Sequence, residues 1–161
     1  MISQDRWKAD LVFHVRLCKP SDLDRVHKLS VEYASFDASP TLADTQGFFE
    51  RNPGYFYVAT NGSGEVIGFI TGYERKGIPD EVLKTWGASR VGYIDLMAVG
   101  LAHRRKGIGT SLLNTLLEQF GKDRIDMVLL DVPSDQMAAV RLYEKLGFHV
   151  RAFNMRKYLK E

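Results

Sequence analysis

Arg104-Arg105-Lys106-Gly107-Ile108-Gly109 stands between two apolar segments. Before it runs Tyr93-Ile94-Asp95-Leu96-Met97-Ala98-Val99, and after it Thr110 to Phe120, where leucines recur at helical spacing. Strand, basic glycine loop, helix is an order that makes an anion site. Backbone N–H groups at a helix start have no partner inside the helix, and the helix dipole favours negative charge there. Glycines let the backbone approach a phosphate closely, and the neighbouring cations add charge. The stretch therefore predicts a binder of a phosphate-bearing cofactor.

Working outward, Leu11 to Cys18 reads as a first strand and residues 1–10 as a loose N-terminal segment. Pro20-Ser21-Asp22 is a helix start with Ser21 as its cap, and the helix runs to about Ala34. A second short helix begins near Thr41 and ends by Asn52-Pro53-Gly54. Tyr55–Thr60 and Glu65–Tyr73 form a hairpin around Asn61-Gly62-Ser63-Gly64. Residues 74–89 are an excursion with a helical turn at Asp80–Trp86. Arg90–Val99 is a long, nearly continuously apolar strand, which marks a central position. Met127–Val132 is apolar throughout and, following a helix, completes a parallel crossover. Asp135–Leu146 carries Ala139, Leu142, Tyr143 and Leu146 on one helical stripe, with Gly147 as its stop. Phe148–Leu159 supplies one or two closing strands, paired antiparallel. The pattern is α/β (α+β): a mixed sheet with helices on both faces.

With 161 residues, 45% hydrophobic and 26% charged, the chain reads as one globular domain over 11–161. A net charge of +2 is too small to indicate nucleic acid or a membrane surface. No apolar run approaches a membrane span, and the polar start is not a signal peptide. The single cysteine, Cys18, makes no intrachain disulfide. These features point to a cytoplasmic protein. His14, His27, His103 and His149 are scattered without metal-ligand spacing, so no metal site is expected.

The glycine loop lacks the Lys-Ser/Thr of a nucleotide P-loop and the three-glycine dinucleotide fingerprint, which argues against phosphoryl and hydride transfer. Two segments instead resemble the GNAT superfamily of N-acetyltransferases. Arg104-x-x-Gly107-x-Gly109, with Val99 five residues upstream, is similar to its acetyl-coenzyme A signature. Ala139-Val140-Arg141-Leu142-Tyr143-Glu144-Lys145-Leu146-Gly147-Phe148 is similar to its Ala-x-x-Leu-Tyr-x-x-x-Gly-Phe segment. Order and spacing agree, and the general look of the second half leans to the ribosomal-protein N-terminal acetyltransferase branch. Leu101 stands where members often carry proline, and Gln136 where many carry a cofactor-holding asparagine.

The resemblance implies a mostly antiparallel sheet with a central parallel pair of strands that splays. It implies acetyl-CoA as co-substrate, held by backbone N–H groups of Arg105, Lys106, Gly107, Ile108, Gly109 and Thr110, with side-chain contacts from Arg104, Lys106 and Gln136. The pantetheine arm would slot against Met97 and Val99, with the Met97 N–H polarising the acetyl carbonyl. Tyr143 resembles the family's general acid and also borders the cofactor. Asp95 is the candidate base, sharing a strand face with Met97 and Val99 by alternation. Glu32, Glu74 or a water chain through Tyr93 are other bases.

The reaction so implied is direct attack by a primary amine on acetyl-CoA in a ternary complex. The alternative is a non-catalytic acetyl-CoA sensor or interaction module of the same fold. The acceptor is open between peptide N-termini, lysine, polyamines and small molecules. The first helix and its following loop at 33–40, the 74–89 excursion and the loop before the last strand are expected to bind it. Their Glu32, Asp37, Asp44, Glu74, Asp80 and Glu81 favour a cationic amine, with Tyr33, Phe36 and Trp86 as an aromatic wall. Homodimerisation would occur through the last strands.

Overall fold

The computed structural model describes residues 12–34 and 38–160; the expected N-terminal segment, Leu11, Phe36 and Asp37 lie outside the described residues. The chain divides into two compact units, Met1–Asp131 and Val132–Glu161.

In the first unit, β1 (Phe13–Leu17) leads through a 3-10 turn at Pro20–Asp22 into α1 (Leu23–Tyr33). Then come α2 (Leu42–Arg51), β2 (Phe56–Asn61), β3 (Val66–Arg75), α3 (Asp80–Trp86), β4 (Val91–Val99), α4 (Ile108–Lys122) and β5 (Met127–Leu129). The sheet order is β1-β2-β3-β4-β5, antiparallel except for the parallel pair β4–β5.

Local chemistry sets the boundaries. Ser21 is not the cap of α1. The turn begins after Lys19, so Asp22 is the residue that reaches back: its carboxylate accepts from the Lys19 N–H at 2.8 Å and from Arg16 at 2.7 and 3.0 Å. At α2, Thr41 and Asp44 form a reciprocal capping box, the Thr41 N–H donating to Asp44 at 2.7 Å and the Asp44 N–H to Thr41 Oγ1 at 3.1 Å. The β2–β3 turn is held by Asn61 Oδ1, which accepts from the N–H groups of Ser63 and Glu65.

Helices cover both faces. On one, α1 and α2 enclose Leu23, Val26, Leu29, Phe56, Val58, Phe69 and Ala98, with Phe48, Phe49 and Leu96 packed against them. Cys18 lies in this core, and burial pushes its thiol up to about 12, as expected of a packing residue rather than a nucleophile. On the other, α4 buries Leu112, Leu113, Leu116 and Phe120 completely. Burying each of those side chains contributes about 1.5–3 kcal/mol. The close approach of α4 depends on glycine in the strands beneath it. A Cβ at Gly72 would lie 2.9 Å from Phe120 Cζ and 2.9 Å from the Tyr93 carbonyl oxygen.

Two expectations about strands are corrected. β5 ends at Leu129 rather than Val132, because its ladder to β4 closes after the pairs Val91–Met127, Gly92–Val128 and Tyr93–Leu129. In the second unit, α5 (Met137–Lys145) is followed by Gly147 at φ +90°, with the Phe148 N–H bonding back to the Tyr143 carbonyl at 3.0 Å. Beyond it, residues 149–160 form no strand. No strand ladder among the described residues includes them, and Phe153, Met155 and Leu159 are almost fully exposed.

Candidate functional site

The loop entering α4 has an unusual backbone. Arg105 has φ +60° and Gly107 has φ +81°, separated by one residue. Such alternation turns successive N–H groups toward one side and makes an anion-binding concavity. The first intrahelical bond of α4 runs from the Ser111 N–H to the Gly107 carbonyl at 3.0 Å. Among the described residues, no acceptor is assigned to the N–H groups of residues 105–110, and no side chain caps the helix. Nothing lies within 4 Å of a Cβ built on Gly107. The donors thus face open space, as a pyrophosphate would require.

The side chains here divide. Ile108 is buried against the sheet near Gly68, so only its backbone faces the concavity. Arg105 and Lys106 are exposed, and Gly109 and Thr110 half-buried. Arg104 is engaged within the protein: its Nε donates to the Val99 carbonyl at 3.1 Å, and its guanidinium lies 5.3 Å from the centre of the Tyr33 ring. It ties the end of β4 to the last residue of α1.

Beyond Tyr93, β4 continues to Val99 with no partner strand on its β5 side among the described residues, so the parallel pair opens. The backbone directions along this edge follow from two bonds. The Leu96 N–H donates to Thr71 Oγ1 at 3.2 Å, and the Gly100 N–H donates to the Ile67 carbonyl at 2.9 Å, both toward β3. Residues between them at odd numbers point the other way. The N–H groups of Met97 and Val99 therefore face the open edge.

Asp95 does not share a face with Met97 and Val99. The β3–β4 register passes from Thr71–Leu96 to Gly72–Ile94, leaving Asp95 as the extra residue of a β-bulge. The bulge reverses the alternation. A Cβ on Gly92 would touch Phe120, and Val99 packs beside Ile108, so residues seven apart both face α4. Asp95 lies instead on the α1/α2 side, where its charge helps raise the pKa of Tyr73 and Tyr93. Tyr73 is on that side because its ring meets Phe48 edge-on at 6.3 Å.

The cluster around Asp95 is aromatic and acidic. The Tyr73 and Tyr93 rings lie 5.3 Å apart, and the Tyr93 hydroxyl donates to Asp131. Desolvation raises both phenols and the Asp95 carboxyl, although Asp95 remains open to solvent. A carboxylate held above its ordinary range is a better proton acceptor. Glu74 is a poor alternative: paired with Arg90 and Lys76, its pKa is pushed down to about 2. Asp44 is engaged as the α2 cap.

In the second unit, Tyr143 is half-buried on α5, its ring edge-on to Phe148 at 5.7 Å, and desolvation raises its phenol pKa. Gln136 is the exposed residue that precedes α5. Tyr73, Asp131 and Thr71 were missed as site residues. Only the bulge reveals them, and no local signal in the sequence announces it. Among the described residues, no helix is long and apolar enough to cross a membrane.

Comparison with known proteins bears on this arrangement. An uncharacterized N-acetyltransferase of Methanocaldococcus jannaschii is 30% identical over 138 residues, which cover 85% of this chain and 78% of that protein. N-alpha-acetyltransferase 30 of Xenopus laevis is 41% identical over 59 residues, but the match covers 37% of this chain and only 22% of that longer protein. The solved NatC complex bound to Gag peptide and CoA shares the fold, with a TM-score of 0.76, 20% identity and 91% of each chain covered. The model of the acetyltransferase (GNAT) family matches residues 23–148, and the chain belongs to that family.

Proposed function

We propose that this protein transfers the acetyl group of acetyl-CoA to a primary amine, and that the acceptor is an α-amine. The observation that carries the reading is the run of unpartnered N–H groups at residues 105–110, next to a β4 edge whose Met97 and Val99 N–H groups are also unpaired by a strand. Acetyl-CoA supplies an activated thioester and a diphosphate. Residues 105–110 fit the diphosphate and the Met97 edge fits the thioester arm.

The roles follow from the groups present. Asp95 accepts a proton from the acceptor ammonium, directly or through water, which frees the nitrogen lone pair. The amine attacks the carbonyl carbon, and the Met97 N–H stabilises the negative charge that develops on oxygen. A preorganised donor of this kind contributes about 3–4 kcal/mol to the barrier. The C–S bond breaks, and the Tyr143 hydroxyl gives its proton to the leaving thiolate. An α-amine, with a pKa near 8, needs less help from Asp95 than a lysine side chain near 10.4. The name of N-alpha-acetyltransferase 30 supports the same acceptor class.

The test is CoA release from acetyl-CoA with peptides bearing free α-amines, with lysine peptides blocked at the N-terminus, and with polyamines. Turnover of the α-amine peptides, lowered at least tenfold by Tyr143→Phe and by Asp95→Asn, is expected. Tight CoA binding without turnover of any amine would overturn the reading.

A further inference from the structure

A cleft of about 320 Å³ opens between the last turn of α2 and the end of β3, lined by Phe48, Arg51, Asn52, Tyr73 and Glu74. It lies apart from the glycine loop but shares a wall with the Asp95 cluster. Tyr73 borders the cleft, stacks near Tyr93, and feels the charges of Asp95 and Asp131. Its two aromatic walls, Phe48 and Tyr73, meet edge-on at 6.3 Å.

The charges of the cleft are uneven. Glu74 accepts from Arg90 Nε at 2.8 Å, from Arg90 Nη2 at 2.7 Å and from Lys76 Nζ at 2.7 Å, so two cations answer its one charge. Arg51 makes no ion pair among the described residues. Its Nη1 lies 3.2 Å from the position a Cβ would take on Gly47, so the guanidinium lies back along α2 over a residue without a side chain. Asn52 donates through Nδ2 to the Phe48 carbonyl at 3.3 Å. One end of this continuous surface, at Asp95 and Asp131, is acidic; the other, at Arg51, carries an unanswered positive charge.

We propose that this cleft is a selectivity pocket for the acceptor, and that it takes a carboxylate carried by the same molecule as the attacking amine. The inference rests on the acetyl-transfer reading above and deepens it. The ammonium end meets Asp95 and the faces of Tyr73 and Tyr93, where a cation is favoured. Phe48 and Tyr73 cover the carbon skeleton between the two charges. The carboxylate meets the Arg51 guanidinium, whose planar fork suits it. An acceptor with a second ammonium in place of the carboxylate would face Arg51 instead. This reverses the expectation from the acidic loops of the sequence, because Glu74 is neutralised by its own neighbours. The carboxylate has two sources: an acidic side chain near the N-terminus of a peptide, or the free carboxylate of an amino-acid-like small molecule.

The experiment compares kcat/KM for CoA release across matched acceptors. Peptides beginning Ala-Glu, Ala-Gln and Ala-Lys test the first source, and glutamate α-amide against glutamine amide, which differ only in the side-chain carboxylate, tests the second. At least one carboxylate-bearing acceptor should exceed its partner by about tenfold, the effect of one charge-assisted hydrogen bond. Arg51→Gln should erase that difference, and Arg51→Glu should invert it. Equal kcat/KM within both sets, or a preference that survives Arg51→Gln, overturns the pocket. A second measurement needs no turnover: the Arg51 Nε–H resonance followed by NMR on addition of N-acetylglutamate α-amide, which has one carboxylate, or N-acetylglutamine amide, which has none. A saturable shift with the first only, lost in Arg51→Gln, supports the pocket even if no amine releases CoA, in which case the acetyl-transfer reading alone falls. CoA release without a carboxylate preference and without a shift overturns the pocket and leaves the acetyl-transfer reading standing.

Discussion

Gly64 and Gly107 allow the proposed cofactor role of the glycine loop to be separated from its backbone strain. Gly64 in the β2–β3 turn has φ +83° and Gly107 at the start of α4 has φ +81°. A Cβ on either would meet nothing within 4 Å. Alanine at each therefore carries the same two effects and no clash. The left-handed backbone costs an L-residue about 1–2 kcal/mol. The smaller conformational freedom of alanine in the unfolded chain returns about 0.4–1 kcal/mol. The net loss is about 1 kcal/mol, or about 2–4 °C in Tm for a chain of this size. Gly64→Ala and Gly107→Ala should thus melt alike. They should differ in CoA affinity measured by titration calorimetry. The Cβ of Gly107→Ala would enter the open space beside the unpartnered N–H groups and crowd a phosphate held there. Loss of one charge-assisted bond is about 1.5–3 kcal/mol, so Kd should rise at least tenfold, while Gly64→Ala binds as the parent does. Equal CoA affinity in both variants, with equal losses in Tm, would refute the cradle.

Other substitutions test the packing and charge around the site. Gly72→Ala places a methyl 2.9 Å from the Tyr93 carbonyl, which as backbone cannot swing aside, and should lose about 1–3 kcal/mol in urea unfolding. Leu116→Ala empties a fully buried position under α4 and should lose about 2–5 kcal/mol by the same measurement. Glu74 has a folded pKa of about 2, below its unfolded value, so its pairing with Arg90 stabilises the fold above pH 4.5 and fades as pH falls toward 2. Glu74→Gln should therefore melt lower than the parent at pH 7, with the two curves converging between pH 4.5 and 2. A gap of unchanged size across that interval would show that the pair is not what holds the end of β3.

The sequence is most legible where a local rule decides. Asn61 to Gly64 could only be a tight turn, and the Gly107 loop reads as a helix entry because its glycines and the leucines beyond it obey different rules. The expected Ser21 cap fails because the turn begins after Lys19, and it is Asp22, fixed by Arg16 of β1, that bonds the Lys19 N–H. The length of β5 is a tertiary property. Met127 to Val132 is apolar throughout, yet pairing stops where β4 turns away, and no residue in β5 records that. Phe148 to Leu159 has the composition of a strand, but composition does not supply a partner. The cleft at Arg51 was invisible for the same reason: the neutralisation of Glu74 requires Arg90, sixteen residues away and just before the next strand.

The bulge at Asp95 explains how a carboxylate is tolerated in an otherwise apolar central strand. With regular alternation through Val99, Asp95 would join Met97 and Val99 on the α4 side. That side is occupied by Ile108, Leu112, Leu113 and Leu116, all buried. An unpaired charge there would cost several kcal/mol or force protonation. The extra residue turns Asp95 to the opposite side, where solvent and two phenols meet it, and Thr71 bonds the Leu96 N–H just past the irregularity. The same step leaves Met97 and Val99 with their N–H groups on the open edge and their side chains on the α4 side. In the proposed reaction, one inserted residue thus separates the two kinds of group that acetyl transfer needs: the backbone donors proposed for the thioester arm line the strand edge, and the proposed proton acceptor stands on the opposite face. Removing the bulge by deleting Asp95 would not merely subtract a base. It would restore a continuous β3–β4 ladder and the regular alternation across β4.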